Sequence, residues 1–252
     1  MKISLNCPSY KRPYVETLEY LPFCKVWVAD REFEEYKKQN PDGNIIAVPD
    51  NVQGNLCRIR NWILDREFEN GYDAVVIIDD DMQGMYRYNK SGIYGYKKTK
   101  IETDEFMDFL EHFSILCDEF GFKFWGVNSN LDPLSYRHYT PFSTNNYIGG
   151  PFQAHLKNDI RYDERLPLKE DYDITLQHMK MYRGALRANM YHYDVKQSEQ
   201  KGGCATYRNL EREKQQFELL QKKWGSQIIK YDKGSKKNFD YNPILKVPIR
   251  GV

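Results

Sequence analysis

The sequence predicts an α/β fold with a mostly parallel central sheet flanked by helices. Three observations carry that expectation: short apolar runs alternate with segments of helical periodicity, the 252-residue length suits one large domain, and one apolar run ends abruptly on three aspartates. Strand-helix alternation brings right-handed crossovers and therefore parallel pairing.

Ile3-Ser4-Leu5-Asn6-Cys7 reads as the first strand. Pro13 then takes the first position of a helix carrying Val15, Leu18 and Leu21. Val26 to Ala29 is a second strand, followed by a polar helix from Glu32 to Gln39; Ile45 to Val48 is a third. Leu56, Ile59, Ile63 and Leu64 recur at helical spacing, and Ala74 to Ile78 forms a fourth strand. Phe106, Phe109, Leu110, Phe113, Leu116, Cys117 and Phe120 mark an amphipathic packing helix over 103–120. Gly121 stops it, and Phe122 to Val127 resumes as a strand. Two further helices are expected over 171–183 and 207–224, the second carrying Leu210, Phe217, Leu220 and Trp224 on one side. The polar stretches 86–101 and 129–147 read as long loops of the lid or binding kind.

A formal net charge of +1 argues against a uniformly basic body that coats nucleic acid. The charge is uneven, with 25 Lys and Arg against 31 Asp and Glu over residues 1–200 and 12 against 5 over 201–252. That excess fits either a surface for a polyanion or a solvated helix face. Five scattered cysteines suggest neither a zinc site nor a disulfide framework, which points to reduced thiols and a cytoplasmic setting. No leader-like segment and no run of 18 apolar residues is present, so no membrane association is expected. No obligate protein partner is evident either.

The chemistry centres on Asp79-Asp80-Asp81 at the carboxyl end of the fourth strand, where open α/β sheets take their ligands. Adjacent carboxylates repel, and a hard divalent ion, Mg²⁺ or Mn²⁺, neutralises them; the alternative is a solvated strand-end turn. If the segment is extended, alternation turns Asp79 and Asp81 toward one ion and Asp80 away. Pro8-Ser9-Tyr10-Lys11-Arg12-Pro13 offers a hydroxyl, a ring and two cations before a helix, which suits a nucleotide. Asp30 ends the second strand, as an acceptor to base or ribose or as a helix cap. After Gly54, Arg58 and Arg60 cannot share one helical face, so at most one reaches a phosphate and either alone is as well placed for a surface salt bridge.

Ser9 to Arg12, Gly54 with Arg60-Asn61, Asp79-Asp80-Asp81 and Glu170-Asp171 together resemble the GT-A (Rossmann-like) glycosyltransferases over roughly residues 3–210. The tokens Pro8 to Pro13, the triple Asp, Glu170-Asp171-Tyr172-Asp173 and Gly202-Gly203 resemble more narrowly the phage glycosyltransferases called TET-associated, and the T-even-like arabinosyltransferases. The resemblance implies a single domain over 1–252, with a nucleotide-sugar half at 1–101 and an acceptor half at 102–252 ending in a basic extension. It implies Asp79 and Asp81 as metal ligands, His192 completing the metal shell, and Asp80 contacting sugar or ribose. Gly149-Gly150 would lie beside the donor sugar and Gly202-Gly203 would form a second clamp. By the same resemblance, Asp171 is the base of an inverting transfer with Glu170 orienting the acceptor, although both also suit a helix N-terminus. The donor is then a UDP-sugar, glucose or arabinose. The acceptor is 5-hydroxymethylcytosine in double-stranded phage DNA, with Lys222, Lys223, Lys230, Lys233, Lys236 and Lys237 meeting phosphates. A glycan or protein acceptor, a sugar nucleotidyltransferase and a degenerate binding module are the alternatives. Without the resemblance, His192 is an ordinary strand histidine.

Overall fold

The computed structural model describes residues 1–91, 95–130, 132, 136–196, 202–232 and 241–247. Ten strands form one sheet: β1 (Ile3–Pro8), β2 (Lys25–Ala29), β3 (Asn44–Val48), β4 (Ala74–Ile78), β5 (Met82–Ser91), β6 (Gly95–Lys100), β7 (Phe124–Asn128), β8 (Phe142–Ser143), β9 (Phe152–Leu156) and β10 (Leu186–Val195). They lie in the order β3-β2-β1-β4-β9-β7-β10-β5-β6, with β8 paired to β10. Parallel pairing joins β3, β2, β1 and β4, and again β7 and β10, while β9 runs against both of its neighbours. The sheet is thus mixed but mostly one-directional, as expected, with β5, β8 and β9 reversed.

The helices are α1 (Thr17–Tyr20), α2 (Phe33–Gln39), α3 (Leu56–Glu69), α4 (Phe106–Glu119), α5 (Glu170–Tyr182) and α6 (Leu210–Trp224). Apolar cores form on the two sheet faces, one around α4, Trp125 and Phe152, the other around α3, Val75 and Ile77. Most of the expected stripe of α4 is buried, with Phe106, Phe109, Leu110, Phe113 and Cys117 in the core and Leu116 partly so, but Phe120 lies past the helix end and is exposed, before Gly121 in the left-handed region (φ +74°). A third cluster packs α6 and the two-stranded ribbon β11 (Ile229–Tyr231) and β12 (Pro243–Leu245) on Leu166 and Leu176. Among the described residues, no helix is long and apolar enough to cross a membrane.

Two local expectations change. The stretch 86–101 is not a loop: β5 and β6 pair as an antiparallel hairpin from Tyr86↔Lys100 to Ser91↔Gly95. Its outer strand is exposed, so polar residues replaced the apolar alternation that normally reveals a strand, while tyrosines supplied the β preference. The first helix is shorter than predicted, and Pro13 lies outside it; Glu16 precedes its four residues. That helix serves as a clip. Buried Thr17 donates from its hydroxyl to the carbonyl of Asp79 (2.7 Å), accepts from the N–H of Met82 (2.9 Å), and donates its own N–H to the carbonyl of Asp80 (3.2 Å).

Candidate active site

The acidic cluster is fixed by β4, a fully buried strand between β1 and β9. The chain does not stay extended after Ile78: it turns at Asp80-Asp81 before β5 begins. Side-chain alternation therefore does not separate the three carboxylates, and all of them line one cavity of ≈ 560 Å³. This corrects the expectation that Asp80 points elsewhere. Asp80 is held from the first-strand loop, by a salt bridge from Arg12 and by a hydrogen bond from Ser9 Oγ (2.5 Å). Arg12 also reaches Asp81 at 3.6 Å. Ser9 and Tyr36 exchange a further hydroxyl bond of 2.9 Å, so the loop's hydroxyl positions a carboxylate as well as facing the cavity.

On the other wall, Gly54 turns the chain in the left-handed region (φ +83°) and Asn55 caps α3, its side chain accepting from the N–H groups of Cys57 (3.0 Å) and Arg58 (3.3 Å). Arg60, only 1% exposed, is delivered to the centre of the site. Its guanidinium donates to Gln153 Oε1 (3.0 Å), the carbonyl of Gly150 (2.9 Å), Asp79 Oδ1 (3.3 Å) and Glu170 Oε1 (3.4 Å). Glu170 and Asp171 open α5, where the helix dipole favours negative charge. Tyr147 donates its hydroxyl to Asp171, and its ring stacks on Tyr172 at 4.3 Å. Burial holds the Tyr147 phenol well above its usual range, so it stays a donor and leaves Asp171 the acceptor.

Ser9, Tyr10, Arg12, Arg60, Gly150, Glu170 and Asp171 thus join the three aspartates at the cavity. Gly149 stands just behind, where a Cβ would lie 2.5 Å from the Tyr193 hydroxyl. Three expected residues are elsewhere. Arg58 makes the surface alternative, a 3.0 Å salt bridge to Glu164, because it sits two positions from Arg60 and so faces outward. Asp30 is exposed, does not line the cavity and makes no side-chain cap. His192 is stacked between Tyr86 (5.4 Å) and Tyr88 (4.7 Å), on the opposite face of β10 from the cavity-lining Tyr193. Burial pushes its proton affinity down, and its Nε2 has no partner among the described residues. Tyr193, Tyr207 and Arg208 line the cavity although the sequence did not single them out. Gly202 and Gly203, both at positive φ, bring that last segment onto the loop, where the N–H of Gly203 donates to the carbonyl of Tyr10 (2.8 Å).

Among the described residues, no three His, Cys, Asp or Glu side chains are gathered to hold a metal. Asp79 and Asp81 both line the cavity, and after burial the charge of Asp79 is the strongest influence on Asp81. Hard ions such as Mg²⁺ are commonly bound through one or two carboxylates with phosphate oxygens and water completing the shell. The donor set therefore fits an ion that shares its coordination with a diphosphate, and does not fit a metal centre including His192. The crowding itself favours a cation. Burial pushes Asp81 up to about 8, reinforced by Asp79 and Asp80, and pushes Asp80 up to about 6 against the pull of Arg12. Burial, with Asp171 beside it, pushes Glu170 up to about 8.

This crowding has a measurable sign. An unfolded aspartate titrates near ~3.9, so folded Asp81 binds its proton more tightly than the unfolded chain does. The stability supplied by that proton is complete below about pH 4 and is lost as pH rises through about 8. Asp81→Asn is expected to raise the melting temperature of the ligand-free protein by about 2–4 °C at pH 8, and to leave it unchanged at pH 4. Scanning calorimetry at both pH values checks this, and a lower melting temperature at pH 8 would remove the account.

A carboxylate-lined cavity at the carboxyl ends of β1 and β4 occupies the position at which α/β sheets bind their ligands, and the class to which this one belongs is the glycosyltransferases. The pattern that defines the TET-Associated Glycosyltransferase family matches residues 24–203, and the chain belongs to that family. No curated protein matches the chain. Among solved structures it is similar to A197 from STIV, at 10% identity over 79% of this chain and 87% of that one, with a TM-score of 0.42. It is also similar to glucosyl-3-phosphoglycerate synthase from Mycobacterium tuberculosis in complex with Mn²⁺, UDP-glucose and phosphoglyceric acid, at 9% identity over 78% and 72%, with a TM-score of 0.46.

Proposed function

We propose that this chain is a GT-A glycosyltransferase that moves glucose or arabinose from a UDP-sugar to the hydroxymethyl group of 5-hydroxymethylcytosine in phage DNA, with inversion at the anomeric carbon. The observation that carries the reading is the convergence of one cation pair, Arg12 and Arg60, with five carboxylates, Asp79 to Asp81, Glu170 and Asp171, on one cavity. The loop Ser9 to Arg12 and the aspartates suit the nucleotide diphosphate. Asp79 and Asp81 would hold Mn²⁺ or Mg²⁺, which supplies Lewis-acid stabilisation of the departing diphosphate when bound. Asp171, fixed by the Tyr147 hydroxyl, is the base that takes the acceptor's hydroxyl proton as its oxygen attacks the anomeric carbon. Glu170 is held by Arg60 and orients the acceptor or sugar. Gly150 turns its carbonyl to Arg60, and its missing side chain keeps the floor beside Glu170 and Asp171 open.

The test is UDP release with Mn²⁺ from a panel of UDP-sugars, measured with 5-hydroxymethylcytosine DNA, unmodified DNA and no acceptor. Release that depends on the hydroxymethylated duplex is expected. Acceptor-independent release, or release stimulated by a glycan or protein instead, would reassign the acceptor.

A further inference from the structure

The hairpin that leaves the acidic turn carries Arg87, Lys90, Lys97, Lys98 and Lys100, and from Met82 to Ile101 there is no Asp or Glu, in a chain whose net charge is +1. All five cations are exposed. Lys98 faces Asp194 at 3.8 Å, and Lys100 shares a hollow with Glu16, Glu19 and Glu102. Arg87, Lys90 and Lys97 have no carboxylate partner among the described residues. Of the C-terminal lysines, Lys223 is paired with Asp163 (2.9 Å) and Asp173 (2.8 Å), while Lys233, Lys236 and Lys237 lie outside the described residues.

We infer that the β5–β6 hairpin is the surface that receives the phosphate backbone of the acceptor duplex; this rests on the DNA reading given above. Three features support it. β5 starts at Met82, directly after Asp81, so the hairpin is continuous in the chain with the acidic turn, and its pairing sets Arg87 and Lys97 on the face of β10 that carries the cavity-lining Tyr193, with Lys90, Lys98 and Lys100 on the other face. At about 3.3 Å per residue its ten residues span roughly 30 Å, along which a duplex presents one phosphate per about 1.7 Å of axis. Tyrosines are interleaved with the cations, Lys98 lying 3.9 Å over the Tyr86 ring and Arg87 5.9 Å over that of Tyr191, which orients long side chains without neutralising them. Lysines on an edge strand also deter strand pairing between molecules. That role covers β6 and the end of β5 at Lys90, but not Arg87, which stands where β5 is paired with β10 on one side and β6 on the other.

The experiment measures binding of the full chain to a 20-base-pair duplex, with and without 5-hydroxymethylcytosine, by fluorescence anisotropy across a salt series. The proteins are the unaltered chain, the triple variant Arg87→Gln/Lys90→Gln/Lys97→Gln, and the charge-preserving variant Arg87→Lys/Lys90→Arg/Lys97→Arg. The glutamine variant is expected to bind about tenfold or more weakly near 100 mM salt, with a log-log salt slope shallower by about 2–3. The charge-preserving variant is expected to bind as the unaltered chain does, and the UDP affinity of all three is expected to agree. If the unaltered chain binds the duplex and the glutamine variant binds it equally tightly with the same slope, the hairpin is not the surface, although the DNA reading stands. If the unaltered chain binds neither duplex while it transfers sugar to another acceptor, both are overturned.

Discussion

Arg60→Ala is expected to abolish turnover and to lower stability by about 3–5 kcal/mol, because removing one partner of a buried ionic cluster leaves the others uncompensated. Four acceptors, two on regular elements and two on loops, meet at this guanidinium: Gln153 on β9, Glu170 on α5, the carbonyl of Gly150, and Asp79 beyond β4. Arg60→Lys keeps the charge, but an ammonium lacks the planar fork that spans these acceptors, so it is expected to recover part of the stability and little of the activity. Urea unfolding followed beside UDP release separates the two effects. A midpoint near the unaltered value for Arg60→Ala would mean that Glu170, already pushed up to about 8, carries a proton in the ligand-free protein and does not need the cation.

Asp171→Asn is expected to cut turnover by a factor of about 10²–10⁴, the usual worth of a positioned base, with UDP affinity unchanged. The amide preserves the shape and still accepts from Tyr147 but cannot take the acceptor's proton. Single-turnover kinetics with UDP titration decide the matter: loss of UDP binding would move Asp171 to the donor side, and undiminished turnover would remove it as the base.

How much of this was legible depended on whether burial was one-sided. Strands β2 to β4 announced themselves by apolar runs, β1 by Ile3, Leu5 and Cys7 alternating with polar residues, and α4 by its periodicity. Strand β9 did not, since Gln153 and His155 are fully buried inside it, Gln153 held by Arg60 and His155 by Tyr162 through Nε2, and a buried polar residue reads as surface in a sequence. The hairpin hid for the opposite reason: its residues are polar because they face outward, and Tyr86 alternating with Tyr88 was the signal that could have revealed it. At the site, the aspartates, the first-strand loop and Glu170-Asp171 were visible as motifs. Choosing Arg60 over Arg58 needed the rotation of α3, and excluding His192 needed the face of β10, neither of which spacing alone supplies. Tyr207 and Arg208 reach the cavity through the fold-back at Gly202-Gly203, a long-range contact that left no local pattern beyond the two glycines.

The clip made by Thr17 has a consequence for the life of the molecule. Because the backbone of the acidic turn is fastened at Asp79, Asp80 and Met82 by one buried threonine, the turn cannot relax by spreading its carboxylates apart. The empty protein therefore carries an electrostatic load that a cationic ligand relieves, and a ligand that binds only the folded form stabilises it in proportion to the logarithm of its concentration. A cationic ligand that fills this cavity thereby acts on the folding equilibrium as well as on the chemistry, so the resistance of the chain to unfolding and proteolysis is expected to rise with the concentration of that ligand.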